Sequence, residues 1–459
     1  MSTHYDAIVI GTGQAGPSLA NRMDAAGMRV AIVERSLIGG TCVNVGCIPT
    51  KALVASARAA HVARRAADFG VVLDGPVRVD MARVNARMKD ISGQSNRGLT
   101  TWLERMEHVD LVRGHARFVS PNAIEVDGER LEADKIFVNV GARPFVPPFP
   151  GLDDVEYLTS SSMMELAVLP QHLIIVGGSY IGLEFGQMFR RFGSEVTIVE
   201  RGPRLIARDD PDVSACVQEI LESEGVHVRC NADCMSVAPH EEGIAVQAEC
   251  NGDSQAIVGS HLLIAVGRTP NTDTLNLDAA GVATNDRGYI EVDDQLRTSA
   301  PGIWALGDCN GRGAFTHTSY NDYEIAAANL LDDDPRGVSD RILCYGLYID
   351  PPLGRIGMTE GEARASGRKV LMGKWPMSNV GRARERSETD GFIKILVDAD
   401  SKEILGAAIL GIGGDEVVQS LLGAMYAKTP YTVLSRAVFI HPTVTELIPS
   451  TLQNLVPLE

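Results

Sequence analysis

The sequence predicts an α/β fold with two Rossmann-like domains and a C-terminal α+β domain. Three observations lead to this expectation. A glycine-rich loop set between an apolar strand and a helix occurs twice, near residues 11 and 177. The 459 residues exceed what one ordinary core holds, so two to four domains are expected. The last stretch, with Gly391-Phe392-Ile393-Lys394 and Ile404-Leu405-Gly406-Ala407, alternates as antiparallel strands do.

The first unit begins with the β-branched run Ala7-Ile8-Val9-Ile10. Gly11-Thr12-Gly13-Gln14-Ala15-Gly16 follows, and Leu19, Ala20 and Met23 begin a helical pattern. Val30-Ala31-Ile32-Val33 then ends in Glu34. This order of strand, glycines, helix, strand and acid is the dinucleotide-binding pattern. Gly11, Gly13 and Gly16 let the backbone approach a pyrophosphate at the helix N-terminus, and Glu34 accepts from ribose hydroxyls.

The pattern recurs. Leu173-Ile174-Ile175-Val176 precedes Gly177-Gly178-Ser179-Tyr180-Ile181-Gly182, a helix runs through Leu183, Phe185 and Met188, and Val196-Thr197-Ile198-Val199 ends in Glu200. Ser179 stands where the middle glycine is usual, which predicts a slightly longer pyrophosphate contact. Two such units in one chain suggest a hydride relay between nicotinamide and flavin. Glu200 favours the free 2′-hydroxyl of NADH over a 2′-phosphate, while Arg201 and Arg204 leave room for some NADPH use.

Composition narrows the class. Apolar residues make up 45% and charged residues 22%, the balance of a globular protein in water. A net charge of −17 repels nucleic acid and anionic membranes, so neither is an expected partner. No apolar run reaches bilayer length, and the N-terminus lacks the basic stretch of a secretory signal. A cytoplasmic location is therefore expected.

Eight cysteines are present, at 42, 47, 216, 230, 234, 250, 309 and 344. In a cytosolic chain a structural disulfide framework is not expected, and most of these are read as small buried residues. Cys230 and Cys234 are read as packing and not as metal ligands. Cys42 and Cys47 differ, because they sit in Gly39-Gly40-Thr41-Cys42-Val43-Asn44-Val45-Gly46-Cys47-Ile48-Pro49-Thr50-Lys51. If a helix runs on from Thr41, the two lie near one face and within bridging reach. A disulfide closing so small a loop stabilises folding little, which points to redox chemistry. The alternatives are two buried thiols or two metal ligands. No Cys/His pair with zinc spacing is found elsewhere, and no metal site is expected.

This cysteine segment resembles the redox motif of the class I pyridine nucleotide-disulfide oxidoreductases. The resemblance extends along essentially the whole chain. It includes both glycine loops, Val266-Gly267-Arg268-Thr269-Pro270-Asn271, Ile303-Trp304-Ala305-Leu306-Gly307-Asp308 and His441-Pro442-Thr443-Val444-Thr445-Glu446. It implies FAD and a nicotinamide nucleotide as cofactors. Cys42 is then the interchange thiol that meets substrate, and Cys47 the thiol beside the flavin. Lys51 and Glu184 match the pair near the flavin and nicotinamide, and Tyr180 matches an aromatic gate. Asp308 matches the carboxylate on the ribityl chain, with Thr41, Gly141, Gly267, Phe315 and Thr316 as further cofactor contacts. Gly114 and Ala116 fall where backbone meets adenine. His441 and Glu446 match an acid–base dyad whose histidine comes from the other subunit, which implies a homodimer with a shared site.

The resemblance also implies a division of the chain. Residues 1–150 and 272–338 form a split FAD-binding domain, 151–271 the NAD(P)-binding domain, and 339–459 the dimerisation domain. The run Arg382-Ala383-Arg384-Glu385-Arg386 is read as a solvated loop. The expected substrate is a small disulfide or a thiophilic metal ion. No cysteine follows Cys344, so the C-terminal pair of mercuric reductases is missing. Pro351-Pro352-Leu353-Gly354-Arg355-Ile356-Gly357-Met358-Thr359-Glu360 and Phe315-Thr316 place the chain nearest the mercuric-reductase-like branch that includes bacterial flavoproteins of reactive-chlorine resistance. Dihydrolipoamide dehydrogenase, as a component of an acyl-transfer complex, and a diaphorase-like flavin reductase are the alternative readings.

Overall fold

The computed structural model describes residues 3–250 and 253–458. The side chains at 234, 250 and 253–255 lie outside the described residues, and with them the packing expected of Cys234 and Cys250. The fold is mixed α/β. Four parallel strands form the centre of the first sheet, in the order Val109–Arg113, Val30–Glu34, Thr3–Ile10, Glu129–Val138. Ile303–Ala305 returns to pair in parallel with Glu129–Val138 after the entire second unit. Ala123–Val126 and Ala116–Ser120 extend the sheet antiparallel. Val30–Glu34 is buried at every position, which explains why its sequence is a continuous apolar run and not an alternation.

The helices beside this sheet are α1 (Ala15–Ala25), α2 (Gly40–Asn44), α3 (Cys47–Arg64) and α4 (Met81–Glu104). The second unit has five parallel strands in the order His227–Arg229, Glu195–Val199, His172–Val176, His261–Ile264, Leu158–Thr159. It carries α5 (Tyr180–Phe192) and α6 (Pro211–Ser223). The two units repeat one packing device. A Cβ on Gly16 would fall 2.3 Å from the Gly11 carbonyl oxygen, and one on Gly182 would fall 2.0 Å from that of Gly177. Any side chain there would push the helix off its loop.

The chain then forms α7 (Thr316–Leu331) and a six-stranded antiparallel sheet. The alternation expected for Phe392–Asp398 and Ile404–Leu410 does not separate water from core, since both strands are buried throughout. Ile393, Ile395 and Val397 pack into the local core, while Phe392 joins a core shared with α3 and α5. Lys394 is 1% exposed and inserts its ammonium among Asp210, Asp212 and Glu360 at 2.8, 2.6 and 2.6 Å. Arg355, equally buried, pairs with Asp210 at 2.7 Å. This cluster fastens α6 to the antiparallel sheet.

The helix α8 (Glu360–Ala365) supplies Glu360 to that cluster. The basic run at 382–386 is not a solvated loop. Its first part is α9 (Gly381–Glu385), with Ala383 fully buried and the Arg382 guanidinium donating to the Pro442 carbonyl at 2.7 and 3.2 Å. Among the described residues, no helix is long and apolar enough to cross a membrane.

Candidate active site

The cysteine segment is two helices and not one. α2 carries Cys42, the chain breaks at Val45 and Gly46, and α3 begins at Cys47. Gly46 has φ −128° and ψ −116°, and a Cβ there would fall 2.9 Å from the Thr41 carbonyl oxygen. The break places Cys47 at the open N-terminus of α3, where unpaired amides favour an anion. It also folds α2 back so that the two side chains hydrogen-bond to each other. α4 holds this arrangement. Asn96 donates to the Ile38 carbonyl at 2.7 Å and to Asn44 Oδ1 at 3.1 Å, and Ser92 donates to the Val43 carbonyl at 2.5 Å. Nothing in the cysteine motif marks Ser92 or Asn96, which lie on a distant helix.

Thr316, the first residue of α7, completes the pair. Its Oγ1 lies 3.1 Å from Cys47 Sγ and 3.2 Å from Cys42 Sγ. Both cysteines are free thiols. The hydrogen bond from Cys42 lowers the Cys47 pKa to about 6, with Thr316 and the Lys51 charge adding to it against the opposing effect of burial. The same bond and burial push Cys42 up. The pair shares one charge, and the α3 N-terminus and Lys51 favour it on Cys47.

Lys51 lies one turn further along α3. Its ammonium is 2.7 Å from Glu184 Oε2, and Glu184 Oε1 accepts from the Tyr348 amide at 3.0 Å. Lys51 also sits 4.4 Å over the Tyr348 ring. Tyr180, the first residue of α5, meets Phe315 and Tyr345 edge-on at 6.4 and 5.5 Å. Its hydroxyl donates to Asp209 at 3.2 Å. Contacts link these groups: Thr316, which touches both sulfurs, follows Phe315 of the aromatic group, and Lys51 joins α3 to Glu184 on α5.

Both loops are turned for a ligand. Gly11 and Gly177 have φ +106° and +118°. Glu34 accepts from the Thr12 amide at 3.0 Å, the Thr12 hydroxyl at 2.5 Å and the Ser36 amide at 2.8 Å. Glu200 accepts from the Gly178 and Gly202 amides, both at 2.6 Å. Arg204, one of two candidate phosphate partners, is instead committed to the carbonyls of Ala207 and Asp209 at 2.9 and 3.2 Å. Arg201 remains 84% exposed, 4.0 Å from Asp233.

A further polar set lies where the first sheet ends. Asp308 is 3.5 Å from Arg268 Nε, which is buried and makes no hydrogen bond. Burial raises the Asp308 pKa. A Cβ added to Gly141 or Gly267 would meet no protein atom. A half-buried pair with a free guanidinium N–H, beside two open glycines, fits the hydroxyls of a polyol chain such as the ribityl of FAD. Gly114, at φ +145°, hydrogen-bonds the Glu34 carbonyl at 3.1 Å. Ala116 opens its strand with a buried side chain, and Thr41 is exposed on α2.

His441 and Glu446 form the expected pair, with Nδ1 at 2.9 and 3.1 Å from the two carboxylate oxygens. The imidazole is 79% exposed. Val438 and Ile440 beside it are 97% and 81% exposed, which is unusual for two neighbouring apolar residues of a folded domain. Among the described residues of one chain, no hydrogen bond or ion pair joins His441 to either sulfur of the dithiol.

Comparison with known proteins places the chain in a family. Residues 5–322 match the family described as pyridine nucleotide-disulphide oxidoreductase, and residues 344–451 match the dimerisation domain of the same family. The chain is 37% identical over 450 residues to the probable pyridine nucleotide-disulfide oxidoreductase RclA of Escherichia coli, covering 96% of this chain and 97% of that one. It is 32% identical over 426 residues to a mercuric reductase of Staphylococcus aureus, covering 93% of this chain and 78% of that one. A solved structure of the Cu(II) complex of the HOCl-induced flavoprotein disulfide reductase RclA from Escherichia coli superimposes with a TM-score of 0.89 at 35% identity, covering 99% of each chain.

Proposed function

Because the chain belongs to the pyridine nucleotide-disulphide oxidoreductase family, we propose that it moves electrons from NAD(P)H through FAD and the Cys42–Cys47 pair to a small disulfide or a thiophilic metal ion. The chain is a flavoprotein oxidoreductase. The observation that carries the proposal is the Thr316 hydroxyl seated on both sulfurs, with Cys47 opening α3 one turn before the Lys51–Glu184 pair.

Bound FAD supplies a two-electron path between a nicotinamide at the Gly177–Gly182 loop and the dithiol. The chain supplies the rest. When the Cys42–Cys47 bond opens, two electrons enter it and one proton is taken up. Cys47 keeps the charge, because the α3 N-terminus, Thr316 and Lys51 stabilise a thiolate there. Cys42 keeps the proton until a base removes it. His441 of the partner subunit, oriented by its glutamate, serves as that base. The exposed imidazole and its apolar neighbours support this sharing, since one chain leaves them without a partner. The Cys42 thiolate then attacks a disulfide sulfur, one substrate thiol leaves with the proton from the histidine, and Cys47 closes the ring by expelling the second.

The Lys51–Glu184 pair orients the nicotinamide amide, and Tyr180 screens the face the nicotinamide takes. Glu34 and Asp308 hold ribose and ribityl hydroxyls, with Gly11, Gly13, Gly16, Gly114, Gly141 and Gly267 giving backbone access. We infer a split flavin domain at 1–150 and 272–338, a nicotinamide domain at 151–271, an interface domain at 339–459, a homodimer and a cytoplasmic location. NADH is the preferred donor. Glu200 is held in place by two amides, and Arg204 is committed to backbone carbonyls.

The deciding experiment is anaerobic titration of the holoenzyme with NADH, followed by a steady-state panel of disulfides, lipoamide, Cu(II) and Hg(II). Reduction should give the long-wavelength absorbance of a thiolate against oxidised flavin. A Cys47→Ser protein that kept this absorbance would sink the assignment.

A further inference from the structure

Asp209 is the residue that the family motifs leave unexplained. It lies 2% exposed, two residues before α6, and among the described residues no ion pair reaches it. Arg355, whose charge acts on it from a distance, is committed to the adjacent Asp210 at 2.7 Å. Two phenols converge on Asp209 instead. The Tyr180 hydroxyl donates to one oxygen at 3.2 Å, and the Tyr345 hydroxyl donates to the other at 3.3 Å. Tyr180 begins α5, beside the nucleotide loop, while Tyr345 belongs to the edge strand Cys344–Leu347 of the antiparallel sheet. Tyr345 stacks on Phe315 at 5.7 Å and 9°, and Phe315 precedes the threonine that touches both sulfurs.

This arrangement is one-sided. A buried carboxylate with two donors keeps one when the other leaves. Phe315 and Tyr345 stack face to face, and the Tyr180 ring meets both edge-on. Burial pushes the Tyr345 phenol up to about 12 and the Tyr180 phenol up as well, so both remain donors at any working pH.

We propose that Asp209 is a positioning residue, a latch that holds Tyr180 closed over the nicotinamide place and competes with the nucleotide for it. This rests on the proposed role of Tyr180 as a screen over that place. When a nicotinamide arrives, Tyr180 swings out and its bond to Asp209 breaks, while Tyr345 keeps the carboxylate in place for re-closure. Part of the nucleotide's binding free energy is therefore spent on opening.

The test is NAD⁺ affinity of the holoenzyme by calorimetry, beside the KM for NADH and for the oxidant. Tyr180→Phe deletes only the latch hydroxyl, and Asp209→Asn weakens the acceptor. Each is expected to bind NAD⁺ about 3- to 10-fold more tightly, with a matching fall in the NADH KM and an unmoved oxidant KM. The double variant should bind no more tightly than the better single, because both act on the same bond. Unchanged NAD⁺ affinity in Tyr180→Phe overturns the latch even if Asp209→Asn fails to fold, and so does a double variant whose gain is the product of the two singles. Tyr180→Ala separates the two ideas. If it leaves NAD⁺ affinity unchanged, Tyr180 does not screen the nicotinamide place and the underlying reading fails. If it alters affinity while Tyr180→Phe does not, only the latch fails.

Discussion

The ammonium of Lys51 lies 2.7 Å from the carboxylate of Glu184, and this contact joins the fifth residue of α3 to the fifth residue of α5. It connects the helix that begins at the dithiol to the helix that begins at the second nucleotide loop. The two charges act on Cys47 in opposite directions, since Lys51 lowers its pKa and Glu184 raises it. Lys51→Met should therefore raise the Cys47 pKa by about 1 unit, and Glu184→Gln should lower it. Titrating the thiolate absorbance of the reduced holoenzyme checks the sign. Two shifts of the same sign would show that the pair acts on Cys47 only through structure.

Thr316→Val keeps the shape and removes the hydroxyl that touches both sulfurs. The Cys47 pKa, held near 6, should rise toward the ordinary thiol range. In the parent protein a thiolate signal is expected at neutral pH and should fade as pH falls through about 6. In the variant the fading should begin about 1 unit higher. The same titration measures it.

The buried cluster of Lys394, Arg355, Asp210, Asp212 and Glu360 predicts a large stability effect away from the chemistry. Lys394→Met leaves three carboxylates without their shared cation and should cost about 3–5 kcal/mol. A fall in the thermal midpoint of several degrees, with the flavin spectrum intact before unfolding, is the expected result. Burial alone would raise the Asp210 and Asp212 pKa values, but Arg355, Lys374 and Lys394 outweigh it and hold both below the usual range. Their contribution is thus fully present at neutral pH and is lost as pH falls through those depressed values. Lys394→Met should shrink this acid-side loss without abolishing it, since Arg355 still lowers Asp210 and Lys374 still lowers Asp212.

Mixed dimers test the shared site. Cys42→Ser and His441→Ala proteins should each be inactive alone. In a dimer of one of each, one site combines an intact Cys42 with an intact histidine of the partner subunit. Random exchange should restore about one-quarter of parental disulfide reductase activity. No recovery after exchange shown by mass spectrometry would place the whole site within one chain.

What can be read from the chain is local. The glycine loops are legible because Gly16 and Gly182 each lie against a carbonyl only a few residues away. Cys42 and Cys47 are close in sequence, and His441 and Glu446 meet across a short turn, so their pairing needs no long-range folding. Even there, the condition that a helix runs on from Thr41 is not met, because the chain breaks at Val45 and Gly46 into two helices.

Tertiary structure alone decided what surrounds those motifs. Thr316 is 269 positions from Cys47, Tyr345 is 136 from Asp209, and Lys394 is 182 from Asp212. Hydrophobic periodicity shows which face of an element is buried, but not which distant polar side chain meets it there. Those meetings follow from how the two nucleotide units and the antiparallel sheet pack together. The packing turns Lys394 from an ordinary strand lysine into a buried ion, and it puts a single threonine hydroxyl between two sulfurs.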